Sequence, residues 1–249
     1  MSGLADGVPS TLPSALPSTL PSALLSVRGG LIVSCQAYPG EPMRHAETMT
    51  QVAESAVRGG AVGIRAQGLA DIALIHERVA LPQIGLWKDG HDDVFITPTF
   101  EHALAVVRAG AEIVAIDGTR RARPDGLSLA ETVRRLHDET GALVMADVGS
   151  FDDGLAAEDA GADCVGTTLS GYTGERPKTD GPDLELLAAL AGRLAVPVIA
   201  EGRIHTPAEA HACLSAGAFA VVVGTAITHP QSITRWFADA VADAGAALA

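Results

Sequence analysis

The chain is short of cysteine, of basic residues and of long apolar runs, and each shortage removes a class of function. Its 249 residues hold three cysteines, Cys35, Cys164 and Cys213, far apart and in no CxxC pair. That argues against a disulfide framework and against a zinc site, and the thiols read as buried groups in a reducing cytoplasm. No HExxH or paired-histidine spacing occurs, so the sequence offers no catalytic transition metal. Lysine and arginine number 17 against 30 aspartates and glutamates, for a net charge of −13. A nucleic-acid footprint needs clustered cations and is not expected here. A small anionic substrate remains compatible, because a cleft can focus a local positive potential. No apolar run reaches the length of a membrane span. No GxGxxG opens the first strand–helix turn, as a dinucleotide fold would require.

What is present is ordinary globular composition, 47% hydrophobic and 19% charged, in a length that suits one barrel or two small domains. Residues 9–22 form a Ser-Pro-Leu repeat, PSTLPSALPSTLPS. Recurrent proline blocks helix formation, so residues 1–22 read as an extension without regular structure. The absence of a basic n-region argues against a signal peptide.

Residues 23–249 read as one domain with an internal pattern. A helix-like stretch ends in Gly-Ala and an apolar run follows at once, as in RAGAEIVAID, ETGALVMAD, DAGADCVGTT and SAGAFAVVVG. Glycine suits the position after a helix, where φ is positive. A short apolar run without alternation suits a parallel strand buried on both faces. Eight such runs are expected at 31–36, 62–66, 83–88, 113–117, 143–147, 163–168, 197–201 and 220–224. Helices are expected at 46–58, 68–78, 99–109, 128–139, 152–160, 183–193, 207–216 and 231–243. Eight alternating units predict a single (β/α)8 TIM barrel; a doubly wound sheet usually has fewer strands.

In such a barrel the active site lies at the C-terminal ends of the strands. The polar residues there are Gln36, Arg65, Lys88, Asp117, Asp147, Thr168 and Glu201. Any one of them alone is explained as a hydrogen-bonded strand end. Seven on one rim carry a desolvation cost that use or pairing must offset. Lys88 closes QIGLWK and Glu201 closes VPVIAE, which places two proton-transfer groups at equivalent points of two repeats. The turns EGR (201–203) and VVGTAIT (222–228) fit either a phosphate cradle or simply tight βα turns. The stretch LSGYTGERPKTDGPD after the sixth strand is either a lid or an irregular crossover. Cys35 stops one residue short of its strand end and is expected to face the core. His45, His91 and His102 are expected to face solvent.

With these residues in place, the chain resembles the N-acetylmannosamine-6-phosphate 2-epimerase family. The motifs are GGLIVSCQA, GGAVGIRA, VFITPT, MADV, VGTTLSGYT, VIAEGRI and VVGTAIT. The resemblance implies a barrel of the ribulose-phosphate-binding type and a cytoplasmic enzyme of sialic-acid catabolism. That enzyme would interconvert N-acetyl-D-mannosamine 6-phosphate and N-acetyl-D-glucosamine 6-phosphate, with neither metal nor nucleotide cofactor. The implied partner is a small sugar phosphate, with no nucleic acid and no membrane, and a homodimer is the assembly allowed for. By motif, Lys88 resembles the catalytic lysine and Glu201 its acidic partner, while Gln36, Arg65, Asp147 and Thr168 take substrate-binding positions. Gly202, Arg203, Gly224 and Thr225 take the phosphate positions, with His229 where the family commonly has arginine. The stretch after Lys88 also departs, reading Lys-Asp-Gly-His. Two other readings of the residues stand beside this one: a Schiff-base lyase built on Lys88, and a sugar-phosphate sensor without turnover.

Overall fold

The structure is a computed structural model and describes residues 20–90 and 93–246. Most of the expected extension, residues 1–19, lies outside this range, as does His91. Eight parallel strands close a barrel in sequence order: β1 Leu31–Cys35, β2 Gly63–Gln67, β3 Gln83–Leu86, β4 Ile113–Asp117, β5 Leu143–Asp147, β6 Cys164–Gly166, β7 Val198–Glu201 and β8 Ala220–Val223. The barrel shuts where Leu31 of β1 pairs with Val221 of β8. The helices that precede β1 and follow strands one to six are α1 Ser22–Val27, α2 Ala46–Arg58, α3 Leu69–Arg78, α4 Phe100–Arg108, α5 Leu129–Thr140, α6 Phe151–Asp159 and α7 Leu184–Arg193. Strands seven and eight are followed by α8 Pro207–Ser215, α9 Thr225–Thr228 and α10 Pro230–Ala246.

Local chemistry sets these boundaries. Ser128 and Glu131 form a capping box at the start of α5, and Thr206 with Glu209 does the same for α8, where Pro207 supplies a preset φ. Gly141 stops α5 at φ 70°, a conformation that costs glycine little.

Alternation along each strand sorts the core into two layers. Ile32, Ile84, Ile113, Met145, Cys164, Ile199 and Val222 form one buried cluster inside the barrel. Residues of the other parity, such as Val33, Ile64, Val114 and Val144, pack outward against the helices. Leu24 and Val27 of α1 join the inner cluster, so this six-residue helix plugs the N-terminal mouth. Sequence reading missed it because it follows a proline-rich stretch and has no side-chain cap or acidic first turn. Period two then carries the inner parity upward to Ser34, Gln36, Arg65, Lys88, Asp147, Thr168, Glu201 and Gly224 at the C-terminal mouth. Cys35 has the outer parity and is buried, and its thiol is pushed up to about 12 by that burial.

Candidate active site

A cavity of about 450 Å³ opens at the C-terminal mouth. Ser34, Gln36, Arg65, Lys88, Thr168 and Glu201 line its floor, and Gly202, Arg203, Gly224, Thr225 and His229 line one side. Arg65 lies at its base with only 1% of its side chain exposed. Such a cation needs carboxylates. Asp147 supplies two contacts, accepting from Nη2 at 2.6 Å and from Nη1 at 3.3 Å. Glu201 Oε2 stands 3.1 Å from Nη1. That contact is ionic rather than an aligned hydrogen bond, and Glu201 Oε2 and Arg65 Nε have no hydrogen-bond partner among the described residues. Two buried polar atoms at the floor of a cavity are the kind of unfilled valence that a polar ligand completes.

The carboxyl of Glu201 is pushed up to about 7, chiefly by burial, with Arg65 pulling it down and Asp147 pushing it up. Lys88 is held below the usual ammonium range, first by burial and then by the Arg65 charge, while Glu201 and Asp147 work the other way. Both groups are thus moved toward neutrality from opposite sides, which is how one site comes to hold an acid and a base at once. Lys88 is aimed by a hydrogen bond from Nζ to Gln36 Oε1 at 2.9 Å, and Gln36 is fixed in turn by donating to Ser34 Oγ at 2.7 Å.

Asp147 is fully buried beneath Arg65 and does not line the cavity; it orients Arg65 and accepts from Thr168 Oγ1 at 2.6 Å. Asp117 has the inner parity but is taken up by its own loop, accepting from the Thr119 amide and hydroxyl and from Arg121. That is the bland strand-end role. Lys88 and Ile96 form an isolated antiparallel bridge, and Phe95 and Ile96 lie along the cavity wall. His102 is partly buried rather than solvent-facing, because its ring packs at a tilt against Trp87, centroids 4.5 Å apart, and bonds to Thr99 and Asp89. His45 is exposed as expected.

At the phosphate positions, Gly202 turns at φ 112° and Gly224 caps α9, whose first amides have no helical acceptor. A side chain on Gly224 would meet Ser34 Cβ at 3.3 Å. The Arg203 guanidinium is turned away to the loop between β6 and α7, donating to Ser170 O, Gly181 O and Thr179 Oγ1. Both ring nitrogens of His229 are engaged, one with Glu41 and one with Ser232, each at 2.7 Å. Tyr38 and Tyr172 also line the cavity, though sequence reading singled out neither. They sit in loops beyond the strand ends, where parity gives no guide.

A closed eight-stranded barrel with an acid, a base and a buried arginine at its C-terminal mouth defines a (β/α)8 enzyme. The sequence model described as "Putative N-acetylmannosamine-6-phosphate epimerase" matches residues 49–243. A Cutibacterium acnes protein of the corresponding 2-epimerase name is 62% identical over 218 residues, 87% of this chain and 95% of that protein. The solved N-acetylmannosamine-6-phosphate 2-epimerase from Clostridium perfringens superposes with a TM-score of 0.84 at 44% identity, over 87% of this chain and 95% of that one. A thiamine phosphate pyrophosphorylase from Pyrococcus furiosus, 19% identical with a TM-score of 0.54, shares the fold alone. The chain belongs to the N-acetylmannosamine-6-phosphate 2-epimerase family.

Proposed function

We propose that this chain interconverts N-acetyl-D-mannosamine 6-phosphate and N-acetyl-D-glucosamine 6-phosphate by exchanging the proton at C2. The observation that carries the reading is the pairing of Lys88, depressed, with Glu201, raised to about 7, in one cavity. In the open-chain sugar C2 is α to the aldehyde, so its proton is weakly acidic. Lys88, held below the ordinary ammonium range by burial and by the Arg65 charge, is the base that removes it. Arg65 lies where a cation stabilises the developing enolate oxygen, and its unpartnered Nε is a donor free to do so. Glu201, protonated near neutrality, supplies the acid for ring opening and for returning a proton. Gln36 keeps the Lys88 amine aimed, and Thr168 and Asp147 keep Arg65 in place. The amides at Gly202, Gly224 and Thr225 are assigned to the phosphate, with His229 and Arg203 shaping that side. The chemistry is a proton out and a proton in, and needs no redox step.

The reading places the enzyme in sialic-acid catabolism in the cytoplasm; no helix among the described residues is long and apolar enough to cross a membrane. A homodimer is the assembly we favour, because α10 presents Phe237 and Val241 at 71% exposure each. Incubation with N-acetylmannosamine 6-phosphate, followed by proton NMR, tests the reaction: the N-acetylglucosamine 6-phosphate signals should grow to equilibrium. A lyase would instead cleave the C2–C3 bond into a two-carbon and a four-carbon fragment, and borohydride would trap a Lys88 adduct.

A further inference from the structure

The chain contains two tyrosines and two lysines, and the tyrosines both stand at the mouth of the cavity. Tyr38 holds its ring 5.2 Å from Lys88 Nζ, and Tyr172 holds its ring 4.8 Å from Lys178 Nζ. The setting of Tyr38 is written into the local sequence. Tyr38-Pro39-Gly40-Glu41 makes a turn in which the Glu41 amide donates to the Tyr38 carbonyl at 3.0 Å. Proline presets the first corner, and Gly40 takes φ 87° at the second, as a type II turn requires. The turn brings the Glu41 carboxylate back onto its own start. Glu41 Oε2 accepts from the Tyr38 amide at 2.8 Å, while Oε1 bonds the His229 ring at 2.7 Å. His229 in turn meets the Tyr38 ring edge-on, with centroids 6.1 Å apart. Gln36, two residues before Tyr38, is the acceptor for Lys88.

We propose that Tyr38 is a positioning residue of this site: its ring roofs the Lys88 amine on the solvent side, and Glu41 anchors the roof by tying the Tyr38 amide to His229. The inference rests on Lys88 being the base, as argued above. One loop supplies both a hydrogen-bond acceptor that aims Lys88 and an aromatic face that keeps bulk water from it. The charges of Arg65, Glu201 and Asp147 also act on Lys88, and Phe95 and Ile96 line the same cavity. His229 thereby serves the base side of the cavity through Glu41, bonded from Nε2 while Nδ1 bonds Ser232.

Acetylation by sulfosuccinimidyl acetate, read by peptide mass spectrometry across pH, tests this directly. The rate at the high-pH plateau reports access alone, and Lys178, which is exposed, is the internal standard. Tyr38→Ala should raise the Lys88 to Lys178 plateau ratio severalfold, because the ring 5.2 Å from Nζ no longer covers the amine. Tyr38→Phe, which keeps the ring, should restore the wild-type ratio, and Glu41→Ala should raise it in the direction of Tyr38→Ala. An unchanged ratio in folded Tyr38→Ala overturns the roof. A raised ratio in Tyr38→Ala with none in Glu41→Ala overturns the anchor. Because labelling does not depend on turnover, a raised ratio in a protein without epimerase activity would uphold the roof and remove the functional reading instead.

Discussion

Replacing Asp147 by asparagine removes one charge from the centre of the barrel and keeps its shape. Arg65 and Asp147 are both essentially inaccessible, and their closest contact is 2.6 Å. Removing one partner of a buried ion pair costs about 3–5 kcal/mol when the other is left alone. Here Arg65 keeps Glu201 at 3.1 Å, and the asparagine oxygen still accepts a hydrogen bond, so the loss should be smaller, about 2–3 kcal/mol. At roughly 2–4 °C per kcal/mol for a domain of this size, Tm should fall by about 4–12 °C. The electrostatic consequence has a definite sign. The Asp147 charge pushes both Glu201 and Lys88 upward, so its loss lowers both. The whole kcat/KM profile should move to lower pH. The assays are thermal unfolding of both proteins near neutral pH and epimerase rates across the pH range. A Tm within about 1 °C of wild type, with an unmoved profile, would show that Glu201 alone satisfies Arg65 and refute the shared-pair argument.

Lys88→Met should keep the fold and lose about 10²–10⁴ in kcat, the usual size of a general-base effect; turnover near wild type in the pure variant would end that assignment. Glu201 is raised to about 7 from an ordinary 4.5, so its protonated form favours the folded state. Its contribution is complete below about pH 4.5 and is lost as pH rises to about 7, an order of ~3 kcal/mol. Glu201→Gln should therefore match wild type in thermal stability at low pH and exceed it at mildly alkaline pH; a constant difference across the range would contradict the shift. Gly85 is packed so tightly behind β3 that an added Cβ would lie 2.6 Å from Ala111 Cβ and 2.8 Å from Val106 Cγ1. Gly85→Ala should cost about 1–3 kcal/mol by overpacking, measured by chemical denaturation.

Much of this architecture can be read in the sequence because parallel strands buried on both faces are continuous apolar runs, and glycine marks the ends of α2, α4, α5, α6 and α8. Period two then picks out Gln36, Arg65, Lys88 and Glu201 as one inward set. The partners of those residues are less legible. Arg65 meets Asp147 across 82 residues, and Glu41 meets His229 across 188, distances at which local pattern carries no information. Lys88 and Thr168 lie beyond the ends of β3 and β6, because the chain leaves the ladder earlier than its apolar runs suggest. Parity also cannot tell a cavity residue from a buried support: Asp117 and Asp147 share it with Lys88, yet one serves its own loop and the other serves Arg65.

The central claim is that Lys88 exchanges the C2 proton inside this cavity. Proton NMR of N-acetylmannosamine 6-phosphate with the protein in D2O tests it most directly. The account predicts that the C2 proton signal disappears as N-acetylglucosamine 6-phosphate forms, with deuterium at C2 and nowhere else on the carbon chain. In Lys88→Met, epimerisation and exchange should fall together. Epimerisation that keeps the original C2 proton, or deuterium entry that survives the loss of Lys88, would contradict it.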